Sequence, residues 1–228
     1  MNVARYEFIL RRLATILAVA ILTLSLMAAV TGILLAFYYE PAAGAAYDSI
    51  KAIATEVPNG WLFLSVHDIA GQGAIALALI EIVVMFLSRQ FRPSWYTAWI
   101  SGIVFTLTAI GLSWTAMILD WSEIGFWRLK IELGIIEAIP VIGSTLRDII
   151  TGGEIGTGTV ERLYAIHSYI LSVGAIILAL IHLGSLLVQE EEQKRLAMAL
   201  AVSAESELQE QSEGATAPEL DEKVFSSH

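Results

Sequence analysis

Residues 161–188 read ERLYAIHSYILSVGAIILALIHLGSLLV, a long apolar stretch interrupted by two histidines, His167 and His182. As a regular α-helix, with about 1.5 Å of rise and 100° of turn per residue, the fifteen-residue gap places both imidazoles on nearly one face, about 22 Å apart. That distance is most of the roughly 30 Å hydrocarbon thickness of a bilayer. An imidazole inside a membrane span is costly unless it is paired, ligates a metal or lines a cavity, so two on one face point to something bound between helices. Haem iron is the first candidate. The plainer alternative is that each histidine bonds a hydroxyl or carbonyl of a neighbouring helix.

Composition sets the class around that stretch. Of 228 residues, 56% are hydrophobic and only 16% charged, which describes an all-α integral membrane protein of several spans. The net charge of −10 is concentrated after Gln189, so it does not describe the surface as a whole, and no nucleic-acid partner is expected. The absence of cysteine excludes disulfides, iron–sulfur ligation by this chain and a thioether link to haem.

In chain order, Met1 to Arg12 is a short basic segment, and Leu13 to Tyr39 is a full span, too long for the apolar core of a signal peptide. It ends in FYYEP, with interfacial aromatics and Pro41. Between Pro41 and Trp61, Ile50, Ile53 and Val57 recur at helical spacing in a segment expected to lie along the membrane surface. A second span, about Leu62 to Leu87, carries His67 and, fourteen residues on, Glu81, again on one face and about 21 Å apart. A carboxylate at that depth is a proton carrier, a ligand or a hydrogen-bond partner, unless it lies close enough to the interface to reach water. A basic turn, Arg89 to Pro93, leads to a third span from about Trp95 to Leu119. Residues 121–136 and 137–153 read as two short amphipathic surface helices with Pro140 and Gly143 between them. Residues 161–188 form the fourth span. The domain organisation is thus a basic segment (1–12), a four-helix membrane domain (13–188) and an acidic tail (189–228), helical at first and disordered at its end.

Four spans put both termini on one side together with the basic turn, which assigns that side as the cytoplasmic or equivalent n-side. His67 and His167 then lie near the p-side, and Glu81 and His182 near the n-side. Two levels of facing residues result: a His–His level and a Glu–His level.

Several stretches together resemble the cytochrome b family, specifically its four-helix N-terminal half of the cytochrome b6 type, found in quinol-oxidising bc and b6f complexes. They are TGILLAFYYEP (31–41), TEVPNGWLFLSVH (55–67), WSEIGFW (121–127), EAIPVIGSTL (137–146) and LYAIHSYI (163–170), followed by a second histidine fifteen residues on. The likeness covers roughly Leu13 to Val188. It implies two b haems stacked across the membrane and held by histidines of the second and fourth spans. On it, His67 and His167 are the p-side ligands and His182 is one n-side ligand. It also implies that Gly32 and Gly102 are small residues facing a macrocycle. The implied function is a subunit of a quinol:acceptor oxidoreductase in a plasma or thylakoid-type energy-transducing membrane. A quinol pocket would lie around Trp121 to Gly143, with one electron passing to a Rieske-type partner and one to the p-side haem. A three-helix partner of subunit IV type would complete the pocket, a c-type cytochrome or other acceptor would follow, and the complex would be dimeric.

The departures from that resemblance fall at both levels, and the lost ligand is at the n-side one. Glu81 stands where the family has its second histidine of the second span, so a haem b there would be lost or altered. Leu64, Asp68 and Val84 replace basic residues, Ile16 replaces the cysteine of b6-type chains, Ala116 replaces a glycine, and Asp120-Trp121-Ser122 stands for Pro-Trp-Asp. The alternative function is a structural or specialised membrane subunit on the same scaffold.

Overall fold

The computed structural model describes residues 3–88 and 93–225, and all regular structure among them is helical. Helix α1 spans Val3–Ala36, α2 Ala46–Thr55, α3 Gly60–Leu87, α4 Tyr96–Leu119, α5 Glu123–Glu137, α6 Gly143–Thr151, α7 Thr157–Ala165 and α8 Ser172–Phe225. A 3₁₀ turn, Pro93–Trp95, precedes α4, and a π-helical turn, Ile166–Leu171, joins α7 to α8. Two compact units result, Met1–Leu186 and Leu187–His228. In the second unit, Glu191 pairs with Lys194 at 3.6 Å and Arg195 at 4.0 Å. The basic turn at Arg89, Gln90, Phe91 and Arg92 lies outside the described residues.

Tyr6–Ala36, Gly60–Leu87, Tyr96–Leu119 and a stretch within Thr157–Gln211 are long and apolar enough to cross a membrane. The protein is a four-span integral membrane protein. Its outward side chains are large and apolar, among them Ile33, Ile100 and Ile170, as lipid contact requires. The inward ones are small: Ala70, Ala74 and Ala78 on α3 and Ala175 and Ala179 on α8 recur at one-turn spacing and are buried. Without a hydrophobic drive between helices in lipid, such small-residue ridges let backbones approach and gain dispersion contact.

The first unit's interior has three apolar layers. The lower one joins Ala14, Ala18, Val84, Met85, Ala98 and Leu186. The middle one joins Ile21, Ala78, Phe105, Ala109, Ala175 and Ala179. The upper one joins Ile118, Leu119, Leu129, Leu133, Val160 and Leu163. Glu81 and His182 fall between the lower and middle layers in sequence, and His67 and His167 between the middle and upper layers. Two polar levels are therefore sandwiched among three apolar ones.

The upper end is closed by α2, α5 and α6. Gly60 opens α3 where a Cβ would stand 1.9 Å from the Ile53 carbonyl oxygen, so only glycine admits the sharp return from α2. Ser122 caps α5 by accepting from the Gly125 N–H at 3.2 Å. The Tyr39 hydroxyl donates to the Leu119 carbonyl at 2.8 Å, tying the end of the first span to that of the third. Helix α5 departs from a simple amphipathic surface helix. Leu129 and Leu133 are buried, but Ile124, Ile131 and Ile135 are exposed, so apolar side chains occupy both of its sides. Residue 137, expected to open the second short helix, ends α5 instead, and residues 138–142 form a turn about Pro140 in which Val141 adopts a φ of 72°.

Candidate functional site

The upper level is built from α3 and the π turn. The His67 and His167 rings face each other with centroids 6.2 Å apart and planes inclined by 55°. Two nitrogens ligating one metal from opposite sides stand about 4 Å apart, given metal–nitrogen bonds of about 2 Å. Adding the distance from each nitrogen to its ring centre gives centroids roughly 6 Å apart, so the observed gap fits an iron between the two imidazoles.

Each imidazole is fixed from behind through its other nitrogen. His67 Nδ1 lies 2.8 Å from the Ala28 carbonyl oxygen and 3.3 Å from Thr31 Oγ1 on α1. A carbonyl only accepts, so Nδ1 carries the hydrogen and Nε2 of the neutral ring presents its lone pair. His167 Nδ1 lies 2.8 Å from Thr115 Oγ1 on α4. That hydroxyl already donates to the Gly111 and Leu112 carbonyls, both at 2.9 Å, so it accepts from Nδ1–H and the same tautomer follows. Such outer hydrogen bonds orient a ligating imidazole and raise its basicity.

The lower level repeats the support but not the gap. His182 Nδ1 lies 2.9 Å from the Ala98 carbonyl and 3.3 Å from Ser101 Oγ on α4. Its Nε2 stands 3.0 Å from Glu81 Oε1. That is about 1 Å short of what two axial ligands of one metal require. Val84, at the position of an expected arginine, is packed in the lower apolar layer. The residues of the upper level fit a haem, and those of the lower level do not.

Three of the four positions behind these residues share one pattern: a carbonyl, a hydroxyl three residues on, and a small residue after it. They are Ala28/Thr31/Gly32, Ala98/Ser101/Gly102 and Leu112/Thr115/Ala116. The small residue matters because the imidazole lies against it. A Cβ on Gly32 would stand 3.0 Å from His67 Cε1, and one on Gly102 would stand 2.8 Å from His182 Cε1. The expectation for these glycines is thereby refined, since the surface each presents meets an imidazole. The hydroxyls of Thr31, Ser101 and Thr115 were not singled out from sequence. The signal was present as a Thr or Ser immediately before Gly32 and Gly102.

The structure places all six expected site residues at these two levels. Trp121, at the edge of the expected quinol region, has a φ of 46° and stacks edge-on with Phe126 at 5.9 Å. The Trp114 indole N–H donates to Glu132, which also accepts from Arg128 at 2.9 Å.

A family model described as Cytochrome b/b6/petB matches residues 10–190. Among known proteins, the chain is 32% identical over 153 residues to cytochrome b6 of Acaryochloris marina (strain MBIC 11017), covering 67% of this chain and 71% of that protein. It is 30% identical over 162 residues to cytochrome b6 of Synechococcus elongatus, covering 71% of this chain and 75% of that one. Among solved structures, a chain of a hyperthermophilic respiratory Complex III matches 75% of this chain with a TM-score of 0.66 and 21% identity. This chain spans 47% of that one, and the likeness is one of fold.

Proposed function

The chain belongs to the cytochrome b/b6 family, and from that premise we propose that it is the haem-binding cytochrome b subunit of a quinol-oxidising membrane complex, with His67 and His167 holding a haem b between them. The observation that carries the assignment is the 6.2 Å separation of those two rings. Both are turned so that Nε2 is the lone-pair nitrogen, and both are held there by α1 and α4.

Bound haem supplies reversible one-electron chemistry at that level. The chain's own part is to fix the ligands. Ala28 and Thr31 hold one imidazole, Thr115 holds the other, and Gly32 leaves His67 room to reach its carbonyl. The surrounding alanine ridges and apolar layers keep water away from the two imidazoles, and such an apolar shell lowers the local dielectric and so sets the potential of a group held there.

The quinol pocket is assigned to the upper end, along Trp121 to Gly143, where Trp121 and Val141 hold left-handed backbone conformations at either end of α5. The uncovered apolar side of α5 supports a further membrane subunit beside it, of the three-helix subunit IV type. A Rieske-type acceptor and a dimeric assembly complete the reading, with the upper level on the p-side and both termini on the n-side.

The test is a reduced-minus-oxidised spectrum of the complex purified in mild detergent, with haem measured per chain, for wild type, His67→Ala and His167→Ala. Each substitution is expected to abolish the low-spin b signal of that level. Survival of the signal in both single variants would refute the assignment. Recovery of this chain as a lone, quinol-active monomer would contradict the proposed partner.

A further inference from the structure

The lower level takes something other than a macrocycle. Glu81 and His182 are 3% and 4% exposed, both more than nine-tenths buried. Apart from each other, Glu81 Oε1 and His182 Nε2 have no hydrogen-bond partner among the described residues. The cavity they face has a volume of about 10 Å³. That is room for about one water molecule. The other ten residues lining it come from α1, α3, α4 and α8, and none is ionisable.

The tautomer fixes a proton count. The Ala98 carbonyl holds the hydrogen on His182 Nδ1, so Nε2 of the neutral ring is an acceptor. A bare carboxylate at 3.0 Å would put two acceptors in contact with no donor between them, buried away from bulk water. Burial without a hydrogen bond makes that arrangement costly. One proton relieves it, whether carried on the carboxyl or on the imidazole. With a water in the adjoining cavity, that proton is shared through or beside it.

The backbone behind Glu81 differs in the same direction. Ala18 lies fourteen residues from Gly32, as Ala116 does from Gly102 and Glu81 does from His67. Ala18 lines the cavity with Glu81, so it marks the fourth of the supporting positions. By the pattern of the other three, residue 17 should carry a hydroxyl, and it is leucine. A leucine side chain neither donates nor accepts a hydrogen bond, so that position cannot orient an imidazole as Thr31, Ser101 and Thr115 do.

From this geometry we propose that Glu81 and His182 form a buried one-proton site in place of a second haem, so that the chain carries a single haem. The proposal rests on the reading that the upper level holds haem, and the two fail separately. Haem is measured per chain in the intact purified complex of wild type, His67→Ala and His182→Ala. One haem is expected in wild type, lost in His67→Ala and kept in His182→Ala. Two haems in wild type overturn the one-proton site alone. None in wild type overturns the reading of the upper level. A single haem lost only in His182→Ala overturns both.

The proton itself is read by infrared spectroscopy of the complex in H₂O and D₂O, wild type against Glu81→Gln. Wild type is expected to show an exchange-sensitive band of a protonated carboxyl or an imidazolium that the variant lacks. Its absence overturns the shared proton. If Glu81→Gln does not assemble, His182→Gln serves for the same comparison.

Discussion

Replacing Gly32 by alanine adds one methyl group behind the proposed haem ligand without touching any ligating atom. The new Cβ would stand 3.0 Å from His67 Cε1 and 3.4 Å from Nδ1. The ring must withdraw by a few tenths of an ångström. Its 2.8 Å bond to the Ala28 carbonyl then stretches to the outer edge of the useful range. Overpacking of this kind costs about 1–3 kcal/mol. A weakened buried hydrogen bond adds about 1 kcal/mol. A total of about 3 kcal/mol corresponds to roughly a hundredfold, the upper end of the 10–100-fold seen when outer-shell partners of metal ligands are removed. The assay is transfer of haem from the purified complex to an excess of apomyoglobin, followed by the fall of the low-spin b spectrum. Gly32→Ala should lose haem 10–100-fold faster than wild type. Gly102→Ala makes the tighter clash, 2.8 Å to His182, yet it lies at the level assigned no haem, so it should lower the yield of assembled complex and leave haem transfer unchanged. Equal haem retention in Gly32→Ala and wild type would refute the reasoning, as would equal haem loss in both glycine variants.

Other changes probe the same scheme from different sides. Thr115→Val keeps the side-chain shape but removes the hydroxyl bonded to His167 Nδ1, so haem transfer should quicken about tenfold, with the ring still held by packing. Glu81→His combined with Leu17→Thr and Ala18→Gly rebuilds the fourth supporting position. The triple variant should hold two low-spin haems per chain by quantitation, and a count of one would show that those three side chains do not decide occupancy. Burial, with Tyr164 and Asp120 nearby, pushes the Tyr39 hydroxyl above its ordinary pKa of 10.0. The folded protein therefore keeps a proton that the unfolded chain releases, and the stability tied to this group falls as pH rises above about 10. Tyr39→Phe should flatten the alkaline limb of a thermal-unfolding series in detergent, at the cost of the bond to Leu119 at neutral pH.

The number of spans, the two levels and all the facing residues were legible in the sequence because burial in lipid leaves few reasons for an ionisable group in an apolar run. His67, Glu81, His167 and His182 declared themselves in that way. The supporting hydroxyls did not, because Thr and Ser in a membrane helix satisfy themselves by bonding back to their own helix, as Thr31 does to Met27 and Ser101 to Thr97. Their second contact, across to an imidazole, exists only once helices are packed. The plain reading of each histidine, that it bonds a neighbouring carbonyl or hydroxyl, and the ligand reading were not rivals. At His67 and His167, Nδ1 does the first and leaves Nε2 free for the second, whereas at His182 Nε2 faces Glu81. Alanine ridges were equally quiet, being ordinary residues whose meaning lies in their one-turn repeat. The break between the two short helices was legible from Pro140 and Gly143, whereas the left-handed conformation of Val141 within it was not, since spacing does not reveal it.

The wide turn at Ile166–Leu171 changes how lengths along this chain compare. Between the two levels α3 counts fourteen residues, α1 fourteen and α4 fourteen, but the last span counts fifteen. A turn wound with i→i+5 bonds takes up one residue more than its α-helical equivalent for nearly the same advance. The last span is thus a ruler with one extra graduation, compressed at its upper end, and His167 sits on the compressed mark. Any alignment of this span against its neighbours by simple residue offset will be one step out of phase on one side of Leu171 and in phase on the other.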